Sequence, residues 1–164
     1  MIQSTRRELQ VEIKKLREHR NELERALAAE RQKWLSIFDS IDEPVYVADM
    51  ETYEILYANN AVREEFGFVV GQKCYSVFQG NDYPCDFCTN DCLDQIGDKH
   101  MWVFKNQVNG RWYKCIDRAI RWPENKMVRL ELAIDITDLK EAHEESEEKV
   151  KILTQLVELA TDAI

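Results

Sequence analysis

All five glycines and all three prolines of this 164-residue chain lie between residues 44 and 123. These are the two residue types that interrupt helices most strongly. Residues 1–41 therefore carry one unbroken helical pattern, and a second helical pattern fills residues 138–164. Residues 42–137 carry short β-rich runs and turn formers, which predicts a separate central domain. The C-terminal helix would lead into any further domain of a longer protein.

Apolar residues recur in steps of three and four along both helical segments. This heptad spacing places them on one side of each helix, and a lone helix would leave that seam in water. A second copy of the chain is the simplest partner, so the pattern predicts a homodimer through coiled coils. A helix folded back on its own domain stays open as the alternative. The predicted seam residues are Leu9, Ile13, Leu16, Leu23 and Leu27 in the first helix and Val150, Leu153 and Val157 in the second.

The central domain is predicted to be α+β, a five-stranded antiparallel sheet with short helices inserted between the second and third strands. Asn109-Gly110 lies between two β-rich runs, which is a strong hairpin signal. In the last run Leu130 and Leu132 alternate with Arg129 and Glu131, so we expect its apolar face to be buried and its charged face to be wet. The predicted strands are 44–50, 54–60, 100–108, 111–122 and 127–137, and residues 61–67 form the first short helix.

Two strings in this region resemble the opening and the exit of a PAS domain. "VYVADMETYEILYANNAVREEFGF" has an Asp-containing turn between two strands, and then Asn59 and Asn60 before the first inner helix. "AIDITDLKEAHEE" is similar to the PAS exit, where the last strand meets the signalling helix. The resemblance covers roughly residues 34–143 and implies the PAS fold, flanked here by the two coiled-coil helices. It also implies that Asp135 and Thr137 relay a signal from the sheet to the following helix.

Four of the five cysteines, Cys74, Cys85, Cys88 and Cys92, lie within one short segment. Thiolates at such spacing bind zinc tetrahedrally or hold an iron–sulfur cluster. A thiol–disulfide switch between Cys85 and Cys88 is the second interpretation, because a C-x-x-C pair is often reactive. Inert thiols that pack a loop are the third. The string is similar to the G-x-K-C-Y…P-C-x-x-C pattern of a subset of sensory PAS domains, and Cys92 lies outside it.

Composition narrows the function further. A net charge of −9 disfavours nucleic acid as a partner. The chain has no apolar run long enough to span a membrane and no secretory signal, so we expect a cytoplasmic protein. No catalytic constellation is visible, so we expect no enzyme activity in these residues.

The predicted function is a sensory PAS module. It would relay a ligand, metal or redox signal to an output domain, a histidine kinase or a diguanylate cyclase. A ligand-free dimerisation scaffold with structural or inert cysteines is the alternative.

Overall fold

The computed structural model describes the backbone of residues 2–161 and the side chains of residue 7 and residues 9–157. Met1 and residues 162–164, at the ends of the two predicted coiled-coil helices, lie outside the described residues. The chain forms two compact units, the first ending at Ser40 and the second beginning at Ile41. The helices are α1 (Ile2–Asp39), α2 (Asn60–Phe66), α3 (Cys74–Gln79) and α4 (Thr137–Thr161). The strands are β1 (Val45–Asp49), β2 (Ile55–Ala58), β3 (Lys99–Lys105), β4 (Trp112–Arg121) and β5 (Met127–Asp135).

Helix α1 makes up almost all of the first unit. Its predicted seam is exposed along its length, from Leu9, which is 58% exposed, to Leu27, which is 72% exposed. Ion pairs such as Lys14–Glu18 and Arg20–Glu24 lie along the helix surface at i,i+4 spacing and support it locally. Dimerisation through this seam stays a prediction.

The second unit is built on the predicted five-stranded antiparallel sheet, which is confirmed. Its strand order is β2-β1-β5-β4-β3, so β5 lies at the centre although it comes last in the chain. In the register, Tyr46 of β1 and Asp117 of β4 both pair with Glu131 of β5. Side chains directly opposite each other across antiparallel strands lie on the same face. One face of the central sheet therefore carries a polar row.

Short helices α2 and α3 follow β2, as the sequence predicts. Asn59 caps α2, since its side-chain oxygen accepts a hydrogen bond from the Val62 N–H. Helix α3 ends at Gly80, whose φ of +67° is the left-handed conformation that glycine adopts without strain. Because α3 begins at Cys74, that thiol points into the core and is buried.

The structure differs from the sequence prediction in two places. The β3–β4 connection runs over residues 106–111 instead of a two-residue Asn-Gly turn. Asn106 explains the longer loop, because its side-chain oxygen accepts hydrogen bonds from the N–H groups of Val108 and Asn109. The expected wet face of β5 is also wrong at Arg129 and Glu131, which are 5% and 6% exposed. The cysteine segment covers that face, as described below.

We predict that Asn59→Ala destabilises the fold strongly. Its buried amide group accepts hydrogen bonds from Val45 and Val62 N–H and donates to the carbonyls of Ile41 and Glu43. Losing these bonds leaves buried backbone groups unpaired, which should cost about 2–4 kcal/mol of unfolding free energy. Urea denaturation measures the change. Asn60→Ala, at the exposed neighbouring position, is the control and should change stability by less than about 1 kcal/mol; equal losses would contradict the prediction.

Candidate functional site

A small cavity lies between the central sheet, helix α3 and the cysteine segment. Its lining includes three of the four clustered cysteines, Cys74, Cys85 and Cys88, together with Arg129 and Glu131 of β5. The space inside measures about 30 Å³. That is room for a water-sized group or two, and far less than the hundreds of Å³ in a pocket for a drug-sized ligand. Cys92 is exposed and does not line this cavity, which we call the thiol pocket.

The cysteine segment is held over the sheet by its own short turns. The Cys88 N–H donates to the Cys85 carbonyl at 3.0 Å, and a 3₁₀ turn, Thr89–Cys92, follows at once. Leu93 is buried, and the Asn90 side chain donates to the Met50 carbonyl at 2.9 Å. These anchors fix Cys85 and Cys88 at the mouth of the pocket, where each thiol is half-buried.

Arg129 is the centre of the site, and the register explains how it fits. It pairs with Ala48 of β1 and Ala119 of β4, which are both buried. Two small side chains beside it leave space for a guanidinium on the inner face of the sheet. The Arg129 side chain is only 6% exposed.

The guanidinium joins the sheet to the cysteines. Its Nη1 atom donates to Cys88 Sγ at 3.7 Å and also contacts the side chains of Thr89 and Asn90. Its Nη2 atom donates to Cys74 Sγ at 3.7 Å and to the Tyr46 hydroxyl at 3.1 Å. One buried cation therefore holds two thiols from two different segments of the chain.

Two buried carboxylates face the same cation. Glu131 lies 3.6 Å from Arg129 and accepts a hydrogen bond from the Tyr46 hydroxyl at 2.5 Å. Asp117 lies 3.9 Å from Arg129 Nε and accepts from the Trp102 indole N–H at 2.8 Å. Two acids share one base, so burial and the nearby Asp117 charge raise the pKa of Glu131 to about 7. Arg129 Nε and Asp117 Oδ1 are buried without a hydrogen-bond partner.

Sequence reasoning missed Arg129, Glu131 and Asp117 as site residues. Strand alternation predicts which side chains share a face, but it does not say which face a later loop will cover. The signal in the sequence was the presence of Asp117 in one predicted strand and of Arg129 and Glu131 in another. These side chains meet only in the register that pairs Asp117 with Glu131. Sequence alone did not fix that register.

Burial holds the innermost thiol of the pocket, Cys74, in its protonated form. Desolvation raises the pKa of Cys74 to about 11, although Arg129 acts in the opposite direction. Burial, followed by the neighbouring Cys88, raises the pKa of Cys85. Cys115, on β4, is fully buried and packs in the core, as a free cysteine often does.

The zinc or iron–sulfur prediction gains no support from the geometry. Among the residues that the structure describes, no group of three or more His, Cys, Asp or Glu side chains is arranged to hold a metal ion. The three pocket thiols share a cavity, but the atoms that contact Cys74 and Cys88 belong to a guanidinium. The metal site stays a prediction.

Asp135 and Thr137, the predicted relay residues, meet where β5 passes into α4. Asp135 Oδ1 accepts from the Thr137 N–H at 2.9 Å and from its hydroxyl at 2.6 Å. The Thr137 hydroxyl in turn accepts from the Trp112 N–H of β4 at 3.0 Å. These bonds tie the first residue of α4 to two strands of the sheet. Their role in signalling stays a prediction.

Residues 32–98 match the family model of the PAS domain. The chain contains a PAS domain. The fold agrees, because two solved PAS domains each match the chain with a TM-score of 0.51. The Cys-containing subtype stays a prediction, and no curated protein matches the chain.

Three solved structures illustrate the likeness. The PAS domain of an HTR-like protein from Haloarcula marismortui has a TM-score of 0.51 and 15% identity, covering 66% of this chain and 99% of that one. The PAS domain of nitrogen regulation protein NR(II) from Vibrio parahaemolyticus has a TM-score of 0.51 and 17% identity, covering 62% and 96%. An RNA-binding light-oxygen-voltage receptor has a TM-score of 0.57 and 16% identity over 76% of this chain, which spans only 38% of that receptor. At these identities the likeness shows the fold.

We predict that this PAS domain loses stability as pH rises through neutrality. The folded-state pKa of Glu131, about 7, lies above its ordinary value of 4.5. Between those values the folded protein holds more protons than the unfolded chain, so the unfolding free energy falls as pH rises. The Glu131 contribution is complete below pH 4.5 and is lost progressively between pH 4.5 and about pH 7, a total on the order of 3 kcal/mol.

Urea denaturation at a series of pH values measures this slope. Glu131→Gln should flatten it, because the amide does not titrate. Glu141→Gln, at an exposed position of α4, is the control and should leave it intact. A slope that survives in Glu131→Gln would show that another group is responsible.

Proposed function

We propose that the chain is a cytoplasmic sensory PAS module, with the thiol pocket as its input and the flanking helices as its output. In a longer protein the helices would lead to a histidine kinase or a diguanylate cyclase. One observation carries the proposal: Arg129 contacts Cys74 and Cys88, and it lies on the strand that runs directly into α4. The thiols thus have a physical connection to a helix that leaves the domain.

The connection would work through strand β5. A change in the charge or bonding of a pocket thiol changes what Arg129 can pair with, and buried pairs tolerate such changes poorly. Any shift of β5 then reaches Asp135 and Thr137, whose hydrogen bonds hold the start of α4. Helix movement of this kind is a common way for a local event to reach a distant domain.

The output requires a partner for the exposed helix seams. The five apolar seam residues of α1 and the three of α4 are exposed. Exposed apolar heptads favour a coiled coil with a second copy, and we infer a homodimer. Across the described residues, no helix is both long and apolar enough to span a bilayer. The acidic net charge of −9 disfavours nucleic acid as a partner.

A thiol–disulfide change at Cys85 and Cys88 is the stimulus that the geometry supports best. All five cysteines are free, so Cys85 and Cys88 are available to form a disulfide. The Cys85–Cys88 turn brings the pair close, while no metal-holding group exists among the described residues. We propose no catalytic turnover for these residues, because the pocket lacks a substrate-sized space.

We predict that lysines in the α1 seam weaken the dimer. Leu16→Lys with Leu23→Lys would place two charges in each helix's apolar contact, which should raise the dimer dissociation constant at least about tenfold. Sedimentation equilibrium measures it. Asn21→Lys adds a single lysine off the seam and should leave the dissociation constant unchanged. A dimer that survives both seam lysines would place the interface elsewhere.

We predict that oxidising Cys85 and Cys88 moves α4. Spin labels on an unnatural amino acid at Glu148 would report the distance between the two copies of α4. Diamide oxidation should shift that distance by about 1–5 Å, the scale of helix shifts in known switches. Cys92→Ser should keep the shift, whereas Thr137→Val should reduce it by breaking the bonds to Asp135 and Trp112.

An unchanged distance in protein whose Cys85–Cys88 disulfide has formed completely would contradict the sensory role. The module would then act as a dimerisation scaffold with inert cysteines.

A further inference from the structure

We propose that Cys88 is a peroxide-reactive thiol, activated by Arg129 and resolved by Cys85. This inference rests on the proposed sensory role of the same pocket and names the oxidant class that the pocket would detect. It assigns different tasks to three thiols that the sequence presents as equivalent.

Cys88 has the position that such chemistry needs. Its Sγ accepts a hydrogen bond from Arg129 Nη1, and the same nitrogen contacts the Thr89 hydroxyl at 3.3 Å. A thiolate is the nucleophile toward peroxide, and a guanidinium donor at sulfur stabilises negative charge there. The same cation is in place when charge moves from sulfur to the departing oxygen. Because Cys88 is half-buried, peroxide can reach it from solvent.

The other thiols lack one or another of these features. Cys74 also contacts Arg129, but it is buried, and desolvation raises its pKa to about 11, so it stays protonated. Cys92 is exposed and does not line the pocket. Cys85 accepts a weak contact at 3.8 Å from the neutral amide of Asn81, whereas the donor at Cys88 is a charged guanidinium. Arg129 therefore distinguishes Cys88 from the other accessible thiols.

Cys85 is placed to resolve the product. The Cys88 N–H···O=C Cys85 hydrogen bond closes a four-residue turn, in which the end Cα atoms lie within about 7 Å. Disulfides need a Cα separation of about 4.4–6.8 Å, so the pair can bond without unfolding the segment.

The chemistry balances with peroxide as the only oxidant. The Cys88 thiolate attacks one oxygen, the O–O bond breaks, and Cys88 sulfenic acid forms while hydroxide leaves and takes up a proton. The Cys85 sulfur then attacks the Cys88 sulfur, the S–O bond breaks, and a second water leaves. Two thiols and one hydrogen peroxide give one disulfide and two waters.

The size of the thiol pocket selects among peroxides. A space of about 30 Å³ admits hydrogen peroxide, which has two heavy atoms, but not an aromatic hydroperoxide. We therefore expect Cys88 to react at least about tenfold faster with hydrogen peroxide than with cumene hydroperoxide.

The test uses the full chain, reduced and purified without oxygen, with its metal content measured first by elemental mass spectrometry. Near-stoichiometric zinc or iron lost in Cys88→Ser would overturn the proposal, since Cys88 would then be a metal ligand. In metal-free protein carrying Cys85→Ser, hydrogen peroxide plus dimedone should label Cys88. The label should form at least about tenfold faster there than on Cys92 in the same molecule. Equal rates, or first labelling at Cys74, would overturn it.

Arg129→Lys tests the activating role. It keeps the positive charge but loses the planar fork that spans two sulfurs, so Cys88 labelling should slow about tenfold. Circular dichroism establishes whether the variant folds. If it does not, the comparison of Cys88 with Cys92 in the Arg129 background still decides the proposal. A folded Arg129→Lys protein with an unchanged rate would overturn the role of Arg129.

Failure of this inference can be told apart from failure of the sensory role. If diamide forms the Cys85–Cys88 disulfide and moves α4 while peroxide reacts no faster at Cys88 than at Cys92, the sensor stands and peroxide is the wrong stimulus. If peroxide forms the disulfide rapidly and α4 does not move, the thiol chemistry stands and the proposed relay fails.

Discussion

The buried guanidinium of Arg129 is the interaction on which the arrangement of this domain depends. Taking a charged group out of water costs several kcal/mol unless partners surround it. Here the partners come from separate parts of the chain: Glu131 and Asp117 from the sheet, and Cys74, Cys88, Thr89 and Asn90 from α3 and the cysteine segment. Neither the sheet nor the segment could satisfy Arg129 alone. The cysteine segment is thereby held in place by a polar contact as well as by Leu93.

The sequence predicts the parts of this structure that local chemistry decides. Gly67 marks the end of the predicted helix over residues 61–67, and alternation marks β5 as a strand with two different faces. The PAS strings then imply that these strands and helices form one PAS fold. These signals together lead to the correct fold.

The candidate site was only partly predictable, because it is made by non-local pairing. Charged residues alternating with apolar ones normally face water, and that rule fails at Arg129 because its neighbours in the register are Ala48 and Ala119. Neither alanine carries a signal of its own. Sequence analysis grouped Cys74 with Cys85, Cys88 and Cys92, but it did not anticipate the helix that begins at Cys74. The pocket holds the first three thiols and leaves Cys92 outside.

The balance of charge in the pocket suggests why two acids and two thiols are kept around one base. With Asp117 and Glu131 both ionised and the thiols neutral, the cluster carries one excess negative charge. A Cys88 thiolate would add another, and proton uptake by Glu131, whose pKa is raised to about 7, would compensate for it. Thiol chemistry and Glu131 protonation are therefore linked through Arg129, because both alter the negative charge that one guanidinium must balance.

A pocket this small also restricts how a stimulus can act. A ligand that enters a large cavity can push the cavity walls apart. The thiol pocket, at about 30 Å³, has almost no space for such a ligand. What can change substantially is the bonding of sulfur and the charge beside Arg129, and electrostatic changes in a buried site are strong because water does not screen them. Under the proposed role, the input is therefore chemical rather than steric. Arg129 is the side chain best placed to convert this chemical change into strain on β5. Among the described residues, it alone donates hydrogen bonds to both Cys74 and Cys88. It also lies on the strand that leads into α4.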